Sequence, residues 1–362
     1  MVQLCDNSDC SNAGTKTCSK CKQKNYCSVE CQRKDWFAHK RDCQPRREFP
    51  RIAIIDIPGK GKGVVALERI PRGTLIVAEK PRIILPTEPA ASKAAYQATL
   101  SRLSSDDITF ILSFPYLGQA PARHIYDHIN HRDRHFVPLG PGMCGLCETI
   151  CRINHTCSSP KGGPNANYTW KETAEREELY AIKDIQANQE IEVSYISRSC
   201  ATYKDPSTHL PELYGFHCRC PGCSRSPAER RASEQKIRAF NAFSKQLPKR
   251  VLLGPNRNPL AILTDIEAQI LIICGEGFKD GAVQCAIDAF EICACYEDTA
   301  SAREWYTLVR DYRALYRGRS SSDYIEAASI VEDPRQTEGW GAENRKMKLR
   351  GPSKRVVEAF DV

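Results

Sequence analysis

The stretch Arg152-Ile153-Asn154-His155-Thr156-Cys157 decides how this chain reads, because of what lies on either side of it. Upstream is Gly61-Lys62-Gly63. Downstream come Pro164-Asn165, then Tyr195, then Cys218, Cys220 and Cys223. A segment of amide, imidazole, hydroxyl and thiol is placed between a glycine turn and a cysteine triplet. Polar chemistry and metal chemistry are therefore expected close together.

The glycines are the first element to resolve. Gly59-Lys60-Gly61-Lys62-Gly63 joins the β-branched run Ile52–Ile57 to a second apolar run at 63–67. A nucleotide-binding loop needs G-x-G-x-x-G or G-x-x-x-x-G-K-[ST] opening a helix. Neither spacing is present, and Val64 and Val65 begin a strand. The segment reads as strand, turn, strand, with glycine allowing backbone to approach a ligand closely. Further on, 179–182 and 191–195 read as short strands, and 70–79 as a turn followed by a strand. Residues 87–145 read as a mostly helical insert, with helices at 90–103 and 106–114. The four histidines at 124, 128, 131 and 135 fit a polar surface loop better than a metal site.

The chain has 19 cysteines. Met1-Val2-Gln3-Leu4-Cys5-Asp6 has no basic start followed by an apolar run, so no signal peptide is expected. The apolar stretch at 260–274 is broken by Asp265, Glu267 and Gln269, which suits an amphipathic helix and not a membrane span. A soluble protein of the nucleus or cytoplasm is expected, and in a reducing compartment cysteines point to metal rather than disulfides. Residues 5–43 hold four candidate pairs: Cys5/Cys10, Cys18/Cys21, Cys27/Cys31 and His39/Cys43. Zinc takes four ligands in a tetrahedron, so one pair cannot close a site. Large apolar residues are few here (Leu4, Tyr26, Val29, Trp36 and Phe37), so the segment needs a metal to fold. The i, i+4 spacing of the last two pairs predicts short helices.

Taken together, these motifs resemble the SET-and-MYND (SMYD-type) lysine methyltransferases over roughly residues 1–225. The resemblance implies an α+β protein with a β-rich SET domain, a pseudoknot-like crossing, an N-terminal MYND zinc finger and a C-terminal helical region. It implies two cross-braced finger zincs, one on Cys5, Cys10, Cys27 and Cys31 and one on Cys18, Cys21, His39 and Cys43. A third zinc would take Cys218, Cys220 and Cys223 with Cys157 as fourth ligand. Lys60, Gly61, Lys62, Gly63, Asn154, His155, Tyr195, Tyr214 and Phe216 would contact S-adenosylmethionine, and Tyr195 would also be catalytic. The domains would be a finger at 1–49, the SET domain at 50–217, a post-SET zinc segment at 218–225, helices at 226–332 and a disordered basic tail at 333–362.

Two departures from the family pattern stand out. Thr156 replaces the usual serine and keeps the hydroxyl. Ser159-Pro160-Lys161-Gly162-Gly163 separates Cys157-Ser158 from Pro164-Asn165, an insertion expected to loop out beside the crossing. This insertion favours an alternative reading, a weakly active or inactive MYND/SET adaptor.

The formal charge of +8 suggests an anionic partner. Eleven zinc-bound thiolates and three Zn²⁺ would bring it to about +3. Direct nucleic-acid binding through Lys20, Lys22, Lys24, Arg33, Lys34, Lys40 and Arg41 loses support accordingly. The expected partners are a protein or peptide carrying the target lysine and, for the finger, proline-rich peptides. No membrane partner is expected. Beyond 225, helices are expected at 226–246, 260–273, 280–296, 300–316 and 322–331. Val283, Ala286, Phe290 and Cys293 form an apolar stripe on the third, so Cys274, Cys285, Cys293 and Cys295 read as core.

Overall fold

The computed structural model describes residues 4–7, 9–19, 24–40, 49–86, 101–114, 136–140, 142–196, 204–252 and 258–360. The chain divides into two compact units, Met1–Pro50 and Arg51–Val362. The expected helix at 90–103 and the four-histidine stretch lie outside the described residues, apart from 101–103, which are not helical.

The first unit pairs β1 (Lys16–Thr17) with β2 (Asn25–Tyr26) in antiparallel fashion and continues into α1 (Val29–His39). Ser28 caps this helix, its side chain accepting from the Cys31 amide. Cys31 is therefore on the helix, whereas Cys27 precedes the cap. This corrects the expectation of two helices at the last two pairs: Cys27 and Cys31 are brought together by a capped helix start, and His39 closes the same helix.

In the second unit, β3 (Ile52–Ile57) and β4 (Gly61–Ala66) form a hairpin. Gly59 and Gly61 take φ of 74° at its turn, where a side chain would be strained. The sheet order is β3–β4–β12–β9, with β12 (Glu190–Val193) antiparallel to β4 and parallel to β9 (Asn154–His155). A second sheet has the order β10 (Ala166–Lys171), β11 (Arg176–Ala181), β5 (Leu75–Glu79). A third has β6 (Ile83–Pro86), β8 (Met143–Leu146), β7 (Val137–Pro138). Val64, Ile76, Ile153, Leu179 and Ile191 are the centre of a core shared by the first two sheets. Of the 87–145 insert, the described residues supply α2 (Ser105–Leu112), laid on the third sheet through Phe110 and Ile111, and two of that sheet's strands; the rest of the insert lies outside the described residues. Strands of two and four residues are too short to show a period of two.

The crossing forms. The Thr156 amide donates to the Val193 carbonyl at 2.9 Å, and the Asn165 amide donates to the Glu192 carbonyl at 3.1 Å. Asn165 also donates from Nδ2 to the Glu190 carbonyl at 2.8 Å and accepts from the Glu192 amide at 2.8 Å. The chain at 190–193 is laced between two parts of the 154–165 loop.

A helix the sequence did not announce, α3 (Lys204–Tyr214), follows, with Pro211 inside it. Five helices then stack in order: α4 (Pro227–Leu252), α5 (Pro259–Gly275), α6 (Lys279–Cys295), α7 (Thr299–Arg317) and α8 (Ser322–Glu332). All five lie within a few residues of expectation, and the expected stripe on α6 is buried. Cys285 and Cys293 are buried and Cys274 and Cys295 pack against the same core. The expected disordered tail is ordered as far as 360. It carries α9 (Lys354–Phe360), with Val356 and Phe360 fully buried against the helical core. Arg350 pairs with Glu267 at 2.7 Å, whose other oxygen accepts from the Ser353 amide at 2.6 Å. Its basic composition hides two apolar residues at i, i+4, which suffice to dock one short helix. The post-SET segment and the helices belong to the same compact unit as the SET strands. Among the described residues, no helix is long and apolar enough to cross a membrane.

Candidate active site and metal centres

Among the described residues, two four-cysteine clusters are formed, one in each unit. In the finger, the sulfurs of Cys5, Cys10, Cys27 and Cys31 all lie within 4.8 Å of one another. Cys10 and Cys27 are 3.5 Å apart, and Cys27 and Cys31 are 3.4 Å apart. In the second cluster, Cys157 is 3.9 Å from Cys218 and 3.6 Å from Cys223, with Cys220 in the same group. A tetrahedron with Zn–S of 2.3 Å has edges of about 3.8 Å, so both donor sets suit zinc. The thiol chemistry agrees. Hydrogen bonding, to Cys157 first, holds Cys218 and Cys220 below the ordinary thiol range, while Cys157 is pushed up, Cys218 first among the causes. Four sulfurs this close cannot all ionise without a cation among them.

Of the second finger set, Cys18 and His39 are buried. Cys21 and Cys43 lie outside the described residues. His39 Nδ1 meets the Tyr26 hydroxyl at 2.5 Å, and that hydroxyl also donates to Asp35 at 2.6 Å. The ring is thus held by Nδ1, which makes Nε2 the nitrogen for a metal.

The expected cofactor residues fall into two groups, joined by β9. In the first, Asn154 donates from Nδ2 to the Lys62 carbonyl at 3.1 Å and to Glu190 Oε1 at 2.8 Å. A Cβ on Gly63 would sit 2.7 Å from that nitrogen and 2.5 Å from Ile57 Cγ1, so only glycine fits there. Lys60 reaches back to Glu190 at 2.8 Å and Glu192 at 2.7 Å. Lys62 pairs with Asp56, and Lys60, Gly61 and Lys62 are exposed along the hairpin. Glu190, which holds both Asn154 and Lys60, was not singled out by the sequence. Its position at the start of β12 is the only local signal.

In the second group His155 is central. Its Nδ1 accepts from the Tyr195 amide at 2.9 Å, so the proton is assigned to Nε2, which faces Cys157 Sγ at 3.1 Å. Tyr195 stacks obliquely on Tyr214, with ring centres 4.7 Å apart, and Phe216 lies 6.3 Å from His155. Tyr195, Tyr214 and Phe216 are thus grouped together. The Tyr195 hydroxyl donates to the Ile153 carbonyl at 2.5 Å, and burial pushes the phenol well above its ordinary range. Tyr168 on β10, missed by sequence reasoning, is buried enough to be raised in the same way.

The Cys157 cluster and the Asn165 bonds are formed with the insertion in place. Ser159 and Gly162 bridge to each other, closing 159–163 into a tight turn. Ser159 is buried where Gly222 and Gly277 leave room for it, and Lys161 pairs with Glu229 at 2.7 Å. Pro160, Lys161 and Gly162 are exposed at the tip of this turn, as expected of a loop, while Ser159 anchors its base against Gly222 and Gly277.

The SET domain family model matches residues 61–196, and the MYND finger model matches residues 5–43. The chain carries a SET domain and a MYND finger. This SET-and-MYND chain is 26% identical over 294 residues to the histone-lysine N-methyltransferase set5 of Schizosaccharomyces pombe, covering 78% of this chain and 84% of that protein. It is 24% identical over 245 residues to the N-lysine methyltransferase SMYD2 of Bos taurus, covering 63% and 52%. With SMYD2-A of Danio rerio it shares 28% over 231 residues, covering 58% and 48%. The chain thus spans about half the length of these SMYD2 relatives. A solved structure of KRYPTONITE with mCHH DNA, an H3 peptide and SAH aligns at 15% identity over 42% of this chain and 25% of that one. Its TM-score of 0.25 is too low to speak to the fold.

Proposed function

We propose that this chain is a protein-lysine N-methyltransferase that uses S-adenosylmethionine and carries a MYND finger for docking protein partners. The observation that carries the reading is the meeting of two groups across β9. Asn154 lies against the Gly63 hairpin on one side, and His155 lies against Tyr195 and Phe216 on the other, with Tyr214 packed on Tyr195.

S-adenosylmethionine supplies a methyl group on a sulfonium. The protein's own residues do the positioning. Gly63 lets the hairpin backbone close on Asn154, and Asn154 with the aromatic wall forms the cofactor pocket. A substrate lysine attacks only as the neutral amine, against an ordinary pKa of about 10.4. The apolar surroundings that raise the Tyr195 and Tyr168 phenols also favour the neutral amine. Tyr195, as a neutral phenol, orients that amine, and orientation supplies much of the rate. Zinc on Cys157, Cys218, Cys220 and Cys223 would hold Tyr214 and Phe216 over the site. The two finger sets would hold structural zinc, with full coordination and no open position. The finger would take proline-rich peptides, and the chain would work in the nucleus or cytoplasm.

The test uses core histones and a yeast protein lysate as acceptors for radiolabelled methyl from S-adenosylmethionine. Tyr195→Phe should keep cofactor affinity by calorimetry and slow transfer at least about tenfold, because the hydroxyl acts on the transition state. Asn154→Ala should weaken cofactor binding first. If neither variant changes transfer or binding, the site is misassigned.

A further inference from the structure

Cys147 and Cys151 lie on the turn that joins β8 to β9, and neither belongs to a zinc set. Cys147 directly follows β8 and is fully buried in the core shared by the first two sheets. Cys151 stands in a short 3-10 helix, Ile150–Arg152. It is half-buried and packs against two cores, that one and the core of the third sheet. The turn brings the pair together. The Cys147 amide donates to the Cys151 sulfur at 3.0 Å; with an N–Cα bond of about 1.5 Å, that sulfur is within about 4.5 Å of the Cys147 Cα. The two thiols are also in contact as hydrogen-bonded neighbours. Between them, the Thr149 and Ile150 amides donate to the Glu79 carboxylate at 3.1 and 2.6 Å. Glu79 therefore holds the turn in the shape that makes the sulfurs meet.

Metal binding does not account for the pair. Among the described residues, no third Cys, His, Asp or Glu joins them in a group that could hold an ion, and zinc takes four ligands. Cys144, three residues before Cys147, is buried in the core of the third sheet, apart from Cys147. Apolar filling would explain either cysteine alone, but it gives no reason for one sulfur to sit on the amide of the other. Two sulfurs in contact across one turn can exchange two electrons. We propose that Cys147 and Cys151 form a dithiol site that takes a small two-electron oxidant, a peroxide, and closes to a disulfide.

The chemistry balances within the pair. Cys151 is the more exposed sulfur, so it reacts first. Its thiolate attacks a peroxide oxygen, the O–O bond breaks, and a sulfenic acid and hydroxide form. Cys147 then attacks the Cys151 sulfur: the S–S bond forms, the S–O bond breaks, and the oxygen leaves as water with the Cys147 proton. Two thiols lose two electrons and two protons, and one peroxide becomes two waters. Contact with Cys151 first, then burial, pushes the Cys147 thiol up, which suits the sulfur that reacts second and keeps its proton until then. The consequence for methyl transfer rests on the methyltransferase reading. Cys151 is two residues before Ile153, whose carbonyl accepts from the Tyr195 hydroxyl. The Ile153 amide donates to the Ile150 carbonyl across the 3-10 helix. Drawing Cys151 toward Cys147 turns that helix and carries the Ile153 carbonyl off the phenol.

The test titrates the zinc-loaded full chain with hydrogen peroxide while a chromogenic chelator follows released zinc. Remaining thiols are alkylated and the peptides sequenced by tandem mass spectrometry, which tells Cys144 from Cys147 and Cys151. A Cys147–Cys151 bond should appear at doses that release no zinc. Methyl transfer to core histones or lysate proteins should then fall about tenfold or more, since a displaced group at the reacting centre costs that much, and dithiothreitol should restore it. Cys147→Ala, which cannot close the bond, should keep its rate at the same dose. Peroxide that strips zinc before it joins these two cysteines overturns the proposal. So does a bond from Cys147 to Cys144 in place of Cys151, and neither result needs a variant. A Cys147–Cys151 bond that leaves the transfer rate unchanged overturns the link to Tyr195. The same bond in a protein that transfers no methyl even when reduced leaves the dithiol site standing and removes the methyltransferase reading.

Discussion

Replacing Asn165 with Ala tests the crossing that frames the site. Its side chain makes two bonds to the backbone of β12: Nδ2 donates to the Glu190 carbonyl and Oδ1 accepts from the Glu192 amide, each at 2.8 Å. Asn165 is 4% exposed, so water cannot replace either partner. Each orphaned buried group costs about 1–3 kcal/mol. Release of one ordered side chain returns up to about 1 kcal/mol. The net loss should be about 2–4 kcal/mol, a large share of the roughly 5–15 kcal/mol that holds a protein folded. Urea unfolding followed by far-UV circular dichroism should show a lower midpoint with an unchanged slope. Asn165→Asp keeps the acceptor for Glu192 and loses the donor to Glu190, so it should fall between the two. Because β12 leads into Tyr195, affinity for S-adenosylmethionine should fall along with stability. A loss below about 1 kcal/mol with cofactor affinity intact would show that this asparagine does not lace the crossing, and the argument for the site's frame would go with it.

Elemental analysis of protein purified without chelator should find about three zinc ions per chain, and Cys218→Ser should remove one of them. Phe360→Ala should destabilise the second unit by about 3–5 kcal/mol, seen as a lower melting temperature, because a fully buried ring is lost; a silent substitution would mean that α9 is not docked. Glu177 also predicts a pH effect on stability. The folded protein keeps this proton up to about pH 8, whereas the unfolded chain releases it near 4.5, so the contribution is complete below 4.5 and is lost as pH rises through 8. Calorimetric melting of wild type against Glu177→Gln should show the variant gaining relative stability across that window.

What the sequence disclosed depended on the range of the force involved. The close cysteine pairs of the finger were legible because a tetrahedral site imposes them, whereas the family resemblance, not spacing, set Cys157 beside a triplet more than 60 residues away, where the structure also has it. Ile52–Ile57 was found to the residue because β-branched side chains favour strands. Helices α5 to α8 were expected within two residues of their ends, α6 from its apolar stripe. The misses share another cause. β7 and β8 are too short to carry a period, and α3, which has Pro211 inside it, was not assigned because proline argues against a helix interior. Val356 and Phe360 are two apolar residues in basic surroundings, and only the groove that receives them shows their purpose. The role of Glu190 comes from bonds to residues 36 and 130 positions away. Arg176-Glu177-Glu178 looks like a solvated charge run, and nothing local says that its middle member is buried.

The imidazole of His155 gives the molecule a single point of failure. One ring nitrogen faces a sulfur of the cysteine cluster and the other holds the backbone of Tyr195. Anything that alters that sulfur, whether a chelator stripping the metal or a peroxide oxidising the thiolate, is felt one ring's width away by the strand end that carries the phenol. The position of the Tyr195 phenol is therefore tied, through this one ring, to the state of the Cys157 sulfur.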